Sequence, residues 1–181
     1  MNAISILEKN FGENREAFEI VLEHSKMVAA KAVSLARTLS DPTINIEFVE
    51  EAALLHDIGI SLIHAPRISC TGDAPYICHG ILGRQILEKE GLSAHALVCE
   101  RHIGVGICVK DIVQQQLPLP RRDMIPLSLE EKIICFADLF YSKKPGRLRV
   151  EKSLEEIKKA LKKHGDHKVV IFENWLKELS R

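Results

Sequence analysis

The stretch Asn45-Ile46-Glu47-Phe48-Val49-Glu50-Glu51-Ala52-Ala53-Leu54-Leu55-His56-Asp57-Ile58-Gly59 reads as a helix that ends in an imidazole and a carboxylate side by side. Asn45 is a helix-capping residue type, Phe48, Ala52 and Leu55 recur at the helical period, and Gly59 sits just past the last turn. Polar groups placed directly after an apolar turn point into a core, where they need partners. Those partners have to come from elsewhere in the chain.

Working outward, almost every periodic stretch has the same 3.6-residue repeat, and aromatic and β-branched residues are too sparse for a sheet. The fold class is therefore all-α, a helical bundle. A short helix from Asn2 to Asn10 stops near Gly12, and Asn14 caps a long helical region to Leu39 that could break near His24. Phe18, Val21, Val28, Ala32 and Leu35 line one side of that region, and Asp41-Pro42 ends it. Ser61 to Tyr76, with Pro66, Gly72 and Pro75, reads as a connection. Helices are expected from Ile77 to Lys89 and from Ser93 to His102, separated by Gly91. Gly104 to Pro126 is expected as a long irregular loop of the kind that serves as a lid. Ser128 with Glu131 and Ser153 with Glu156 carry the capping-box signature, and a last helix covers Asp166 to Leu179. The expected organisation is a single domain over 1–181, with its core at 14–142 and a C-terminal helical appendage at 147–181.

The 181 residues balance 25 Lys and Arg against 25 Asp and Glu. That balance provides no overall field for a long nucleic acid or a membrane surface. No apolar run reaches the roughly 18 to 20 residues of a membrane span, and Met1 to Asn10 is no signal peptide, so a cytoplasmic protein is expected. Cys70, Cys78, Cys99, Cys108 and Cys135 are odd in number and contain no Cys-x-x-Cys, which argues for reduced thiols over a disulfide framework or zinc ribbon. The eight histidines stand out. His24, His79, His102 and Asp138 each lie among core-forming residues of a different expected helix, as His56-Asp57 does. In helical bundles, sites are assembled from such inward-pointing side chains.

The ordered pattern His24, then His56-Asp57, then Asp138 resembles that of the HD-domain superfamily of metal-dependent phosphohydrolases, and His56-Asp57-Ile58-Gly59 matches its HDIG variant letter for letter. The resemblance runs from about Glu23 to Tyr141. It implies a helical core in which His24, His56, Asp57 and Asp138 bind one divalent metal. His79 and His102 resemble the extra ligands of the superfamily's dinuclear branch, in which the HD aspartate, here Asp57, bridges two metals. The alternative for these two is hydrogen bonding to the ligands or to substrate. Many HDIG-type members carry a lysine directly after the motif; here that position is Ile60.

A nitrogen and oxygen ligand set without thiolate suits Mn, Fe, Co or Ni, with Mg also open, better than a structural zinc. The expected activity is hydrolysis of a phosphate ester or anhydride, in a nucleotide or similar small phosphorylated metabolite, by hydroxide generated on one or two divalent metals, with Asp57 catalytic. Arg84, Arg101, Lys143 and Lys144 are candidate phosphate-binding groups. Two other functions use the same residues: a di-iron oxygenase, and a non-catalytic module that binds or senses a nucleotide. Dioxygen uptake without phosphate release distinguishes the first; six polar residues in a core argue against the second.

Overall fold

The computed structural model describes residues 1–179. Nine α-helices are found among them: α1 (Ala3–Phe11), α2 (Arg15–Leu39), α3 (Ile46–Leu55), α4 (His79–Lys89), α5 (Ser93–Arg101), α6 (Val109–Gln114), α7 (Leu129–Leu139), α8 (Leu154–Lys162) and α9 (Asp166–Leu179). The only paired strands among the described residues are β1 (His64–Ala65) and β2 (Cys70–Thr71), two residues each and antiparallel. The all-α expectation holds. None of these helices is long and apolar enough to cross a membrane.

Helix starts follow the chemistry of the residues that precede them. The side chains of Asn2, Asn14, Asn45, Ser128 and Ser153 each accept a hydrogen bond from a first-turn N–H. The Ser153–Glu156 capping box closes in both directions. The expected box at Ser128 closes in one only, because the Glu131 carboxylate turns to Arg101 and to the Leu127 N–H. Helix α2 runs unbroken through His24 for 25 residues, about 37 Å at 1.5 Å per residue.

Two apolar clusters share α2 and α3. One joins Val28 and Ala32 of α2 to Val49 and Ala53 of α3, to Ile133 and Phe136 of α7 and to Phe172 of α9. Phe172 stacks on Phe136 at 5.5 Å, so α9 is built into this core. The other gathers Leu7, Phe18, Leu55, Ile58, Leu87 and Cys99 from α1 to α5. Helix α3 lies between them and is buried on more than one side, at Val49, Ala52, Ala53 and Leu55. Its C-terminal residues therefore emerge in the middle of the molecule.

Beyond Asp57 the chain tightens into a 3₁₀ turn, Ile58–Leu62. Gly59 has no left-handed φ and is not a helix stop signal. It is the point where this turn meets α4: a Cβ there would lie 2.0 Å from the His79 carbonyl oxygen and 2.4 Å from the Gly83 nitrogen. Close approach continues between α4 and α5, where Gly80 and Gly83 lie against Cys99. The segment expected as a long loop, 104–126, contains α6. Asp111 anchors it by accepting from the Cys108 N–H and pairing with Lys168 of α9. Lys168 also donates to the Gly106 carbonyl, and Ile107 and Met124 exchange backbone hydrogen bonds. Packing ties the segment down.

Candidate metal centre

His24 comes from the middle of α2, His56 and Asp57 from the end of α3, His79 from the start of α4, His102 from the end of α5, and Asp138 from the last turn of α7. Five are buried, and Asp138, at 15% side-chain exposure, marks where the centre opens to solvent. The structure thus brings together six side chains from five helices.

Their polar atoms form two groups that meet at Asp57. Ligand atoms of His24, His56, Asp57 and Asp138 lie within 4.8 Å of one another, as do those of Asp57, His79 and His102. Asp57 Oδ2 is 3.2 Å from His24 Nε2 and 3.1 Å from His56 Nε2, and Asp138 Oδ1 is 3.0 Å from His24 Nε2. Asp57 Oδ1 faces the other way, 3.5 Å from both His79 Nε2 and His102 Nε2. One carboxylate thereby serves both groups, an oxygen to each.

Three of the four histidines are oriented by the same local device. Nδ1 of His56, His79 and His102 donates to the carbonyl three residues earlier, of Ala53, Tyr76 and Cys99, at 2.6, 2.6 and 2.8 Å. A carbonyl can only accept, so Nδ1 carries a proton in each ring and Nε2 is the atom that faces the centre, where a metal-binding imidazole presents its lone pair. The consequence is clearest between His79 and His102, whose Nε2 atoms are 3.1 Å apart. Two lone pairs facing each other at that distance repel unless a proton or a metal ion lies between them. His24 Nε2, His56 Nε2 and Asp57 Oδ1 also make no hydrogen bond despite full burial. Such atoms are costly in a core without a partner. A divalent ion in each group supplies one, and the residues therefore fit one or two metal ions.

Lys143, in the loop after α7, brings its ammonium to 2.7 Å from Asp57 Oδ2. Although Ile60 follows the motif, a lysine still reaches its aspartate, from a point 86 positions along the chain. Burial opposes the charge on Lys143, and Asp57 overcomes it and pushes the pKa up. Burial likewise disfavours the Asp57 and Asp138 carboxylates, but the cations beside them hold both well below the usual range.

Lys143 and Lys144 line a cleft of about 540 Å³ together with Arg67, Tyr76 and Ser142. Arg84 and Arg101 lie elsewhere. Arg84 pairs with Glu88 and with buried Glu100, and Arg101 with Glu131. Neither lines this cleft or the apolar cavity beside it. Of the other histidines, His64 is exposed on β1, His95 faces Glu51 and Phe48, and His167 faces Asp111. The sequence reading missed Arg67 and Tyr76: both fall in an irregular connection whose periodicity carries no signal.

The two groups should respond differently to pH. Burial disfavours a charged His56, but Asp57 and Asp138 outweigh it and raise the pKa to about 10. Burial and the neighbouring His102 push His79 down to about 3. In the metal-free protein at neutral pH, His56 therefore holds a proton that an incoming ion must displace, whereas His79 has none to lose. Metal binding to the His24 group should release about one proton and tighten roughly tenfold per pH unit between about pH 6 and 9. Titration calorimetry in buffers of different ionisation enthalpy measures this; an affinity flat across that interval would contradict it.

Residues 21–143 match the HD domain family, and the chain belongs to that family. It is 34% identical over 177 residues to the uncharacterised protein MJ0778 of Methanocaldococcus jannaschii, covering 95% of this chain and 92% of that one. It is also 30% identical over 127 residues to a tRNA (cytidine(56)-2'-O)-methyltransferase of Picrophilus torridus, covering 70% of this chain but 33% of the enzyme. No solved structure gives a significant match.

Proposed function

We propose that the protein is a metal-dependent phosphohydrolase acting on a nucleotide or similar small phosphorylated metabolite, with His24, His56, Asp57, His79, His102 and Asp138 as its metal ligands. The observation that carries this reading is the division of the Asp57 carboxylate between two histidine groups beside a cationic cleft. Divalent metals held there acidify water and neutralise charge on phosphoryl oxygens. Asp57 fixes the spacing of the two groups, and the three carbonyl-anchored imidazoles hold their orientation without rearrangement. Lys143 is placed to exchange its contact with Asp57 for one with a phosphate oxygen, while Lys144 and Arg67 attract the anion to the cleft. Arg84 and Arg101, each held by a glutamate, act on the scaffold in this reading.

A charge-balanced chain favours a small substrate over a polynucleotide. The methyltransferase relative, named for an activity on tRNA, supports a substrate related to nucleotides. The test is a panel of phosphorylated metabolites offered with Mn, Co, Ni, Mg or Fe(II), each scored for phosphate release. Release should require the metal and stop with a chelator. Dioxygen consumption with iron, and no phosphate from any compound, would replace this reading with the oxygenase one.

A further inference from the structure

Beside the metal centre lies a separate cavity of about 370 Å³, within the range of about 300 to 1,000 Å³ typical of small-molecule sites. None of His24, His56, Asp57, His79, His102 and Asp138 lines it, so a molecule held here is not the one that reaches the metals. One wall is made by residues behind those side chains: Ile103 directly follows His102, and Leu139 directly follows Asp138. The opposite wall, with Lys152, Ile157, Ala160 and Leu161, comes from beyond the HD-matched segment. The cavity is therefore in contact with the backbone that carries two of the centre's side chains without opening onto the centre itself.

Its lining is aliphatic at Ile103, Val105, Ile107, Leu139, Ile157 and Leu161. Two of the charged residues that line it, Asp111 and Lys168, are committed to each other, and Lys168 also donates to the Gly106 carbonyl. One charge is left over. Lys152 is half-buried, its ammonium donating to the Leu139 carbonyl at 2.9 Å and entering no ion pair among the described residues. An ammonium has three donors, and in an aliphatic wall the two not used on Leu139 call for an acceptor.

We infer that this cavity is an effector site for an aliphatic monocarboxylate, whose chain lies among the apolar walls and whose carboxylate takes the free donors of Lys152. A neutral alcohol would leave the ammonium without a counter-charge, and a sugar would lose its hydration against the walls. A single uncommitted ammonium matches a single negative charge, which separates this ligand from a phosphate ester. Its influence on the centre is electrostatic. Burial pushes the Lys152 pKa down and the Asp138 carboxylate opposes that, so an ion held at Asp138 feels Lys152 as a like charge. An anion on Lys152 cancels the repulsion, and metal and carboxylate therefore strengthen each other's binding by the same factor. The inference requires the metal centre and is independent of the phosphohydrolase reading.

The experiment is titration calorimetry on the full chain loaded with Mg, using straight-chain carboxylates from acetate to octanoate and, as the uncharged control, 1-octanol. Octanoate should bind at one per chain, and affinity should rise about fourfold for each CH₂ added until the cavity is filled. 1-Octanol should bind at least tenfold more weakly than octanoate. Ala160→Trp, which places a large ring over the cavity from an exposed position on α8, should weaken octanoate at least tenfold, and Lys152→Met should abolish its advantage over 1-octanol. Circular dichroism and metal content should match the parent in both variants. Mn should bind the parent at least twofold more tightly with octanoate present, and Lys152→Met should remove that gain. Affinity that does not grow with chain length, or that Ala160→Trp leaves unchanged, would put the carboxylate on the metals and overturn the inference. Equal affinities for octanoate and 1-octanol would overturn it by leaving Lys152 as a cap on the α7 carbonyl alone, and an unchanged Mn affinity would overturn the effector role. Phosphate release from any metabolite, found or not, alters none of these results.

Discussion

Asp57→Ala is expected to strip both metal positions in one step, whereas His102→Ala is expected to strip one. The difference comes from the two faces of the Asp57 carboxylate, Oδ2 turned to His24 and His56 and Oδ1 to His79 and His102. Without it, one group keeps His24, His56 and Asp138, and the other keeps two imidazoles with no anion. Elemental analysis of protein grown in supplemented medium should give no metal for Asp57→Ala and up to one ion per chain for His102→Ala. Phosphohydrolase activity of Asp57→Ala should fall at least about a thousandfold, since a metal contributes several kcal/mol of transition-state stabilisation. The substitution also takes from the Lys143 ammonium its paired anion and leaves it only the Asp138 carboxylate, and removing one partner of a buried pair costs about 3 to 5 kcal/mol. Asp57→Asn, which keeps the shape, separates loss of metal from loss of fold. Retention of metal and full activity in Asp57→Ala would refute the shared-carboxylate arrangement.

The six residues of this candidate centre were legible because each lies among core-forming residues and because His24, His56-Asp57 and Asp138 follow the order of the HD-domain pattern, which His79 and His102 extend. A histidine or aspartate on the apolar stripe of a helix contradicts the periodicity around it, and that contradiction survives without any structure. Helix starts were legible for a related reason: Asn14, Asn45 and Ser153 act on N–H groups within three residues. What the sequence could not show depends on approach between distant segments. Arg84 and Arg101 looked available for phosphate because the glutamates that hold them, Glu100 and Glu131, lie 16 and 30 positions away. The helix α6 within 104–126 was hidden by the prolines and glycines around it, and the lysine that secures its Asp111 comes 57 positions later. The C-terminal helices read as an appendage because their apolar faces have partners only once Phe172 meets Phe136.

Gly59→Ala should be more disruptive than its single methyl group suggests, and for a reason the motif does not reveal. The added Cβ would stand 2.0 Å from the His79 carbonyl oxygen and 2.4 Å from the Gly83 nitrogen. Both obstacles are backbone, so no rotamer change relieves them, and the 3₁₀ turn and α4 must separate. Overpacking of this kind costs about 3 kcal/mol or more, which in a domain of this size lowers Tm by roughly 6 to 12 °C. The movement is also directional. His79 opens α4, so displacing that helix pulls His79 away from Asp57 and His102, while His24, His56, Asp57 and Asp138 come from α2, α3 and α7 and keep their places. Gly59→Ala should therefore lose the ion of the His79 group and retain the one of the His24 group, with a lower Tm even in chelator. Gly91→Ala provides the contrast: its φ of +76° penalises a side chain, but nothing lies within 4 Å of the new Cβ. It should cost about 1 to 2 kcal/mol and leave the metal content unchanged. Equal Tm losses and equal metal contents in the two variants would show that Gly59 is only a flexible stop and does not set the distance between the HD turn and α4.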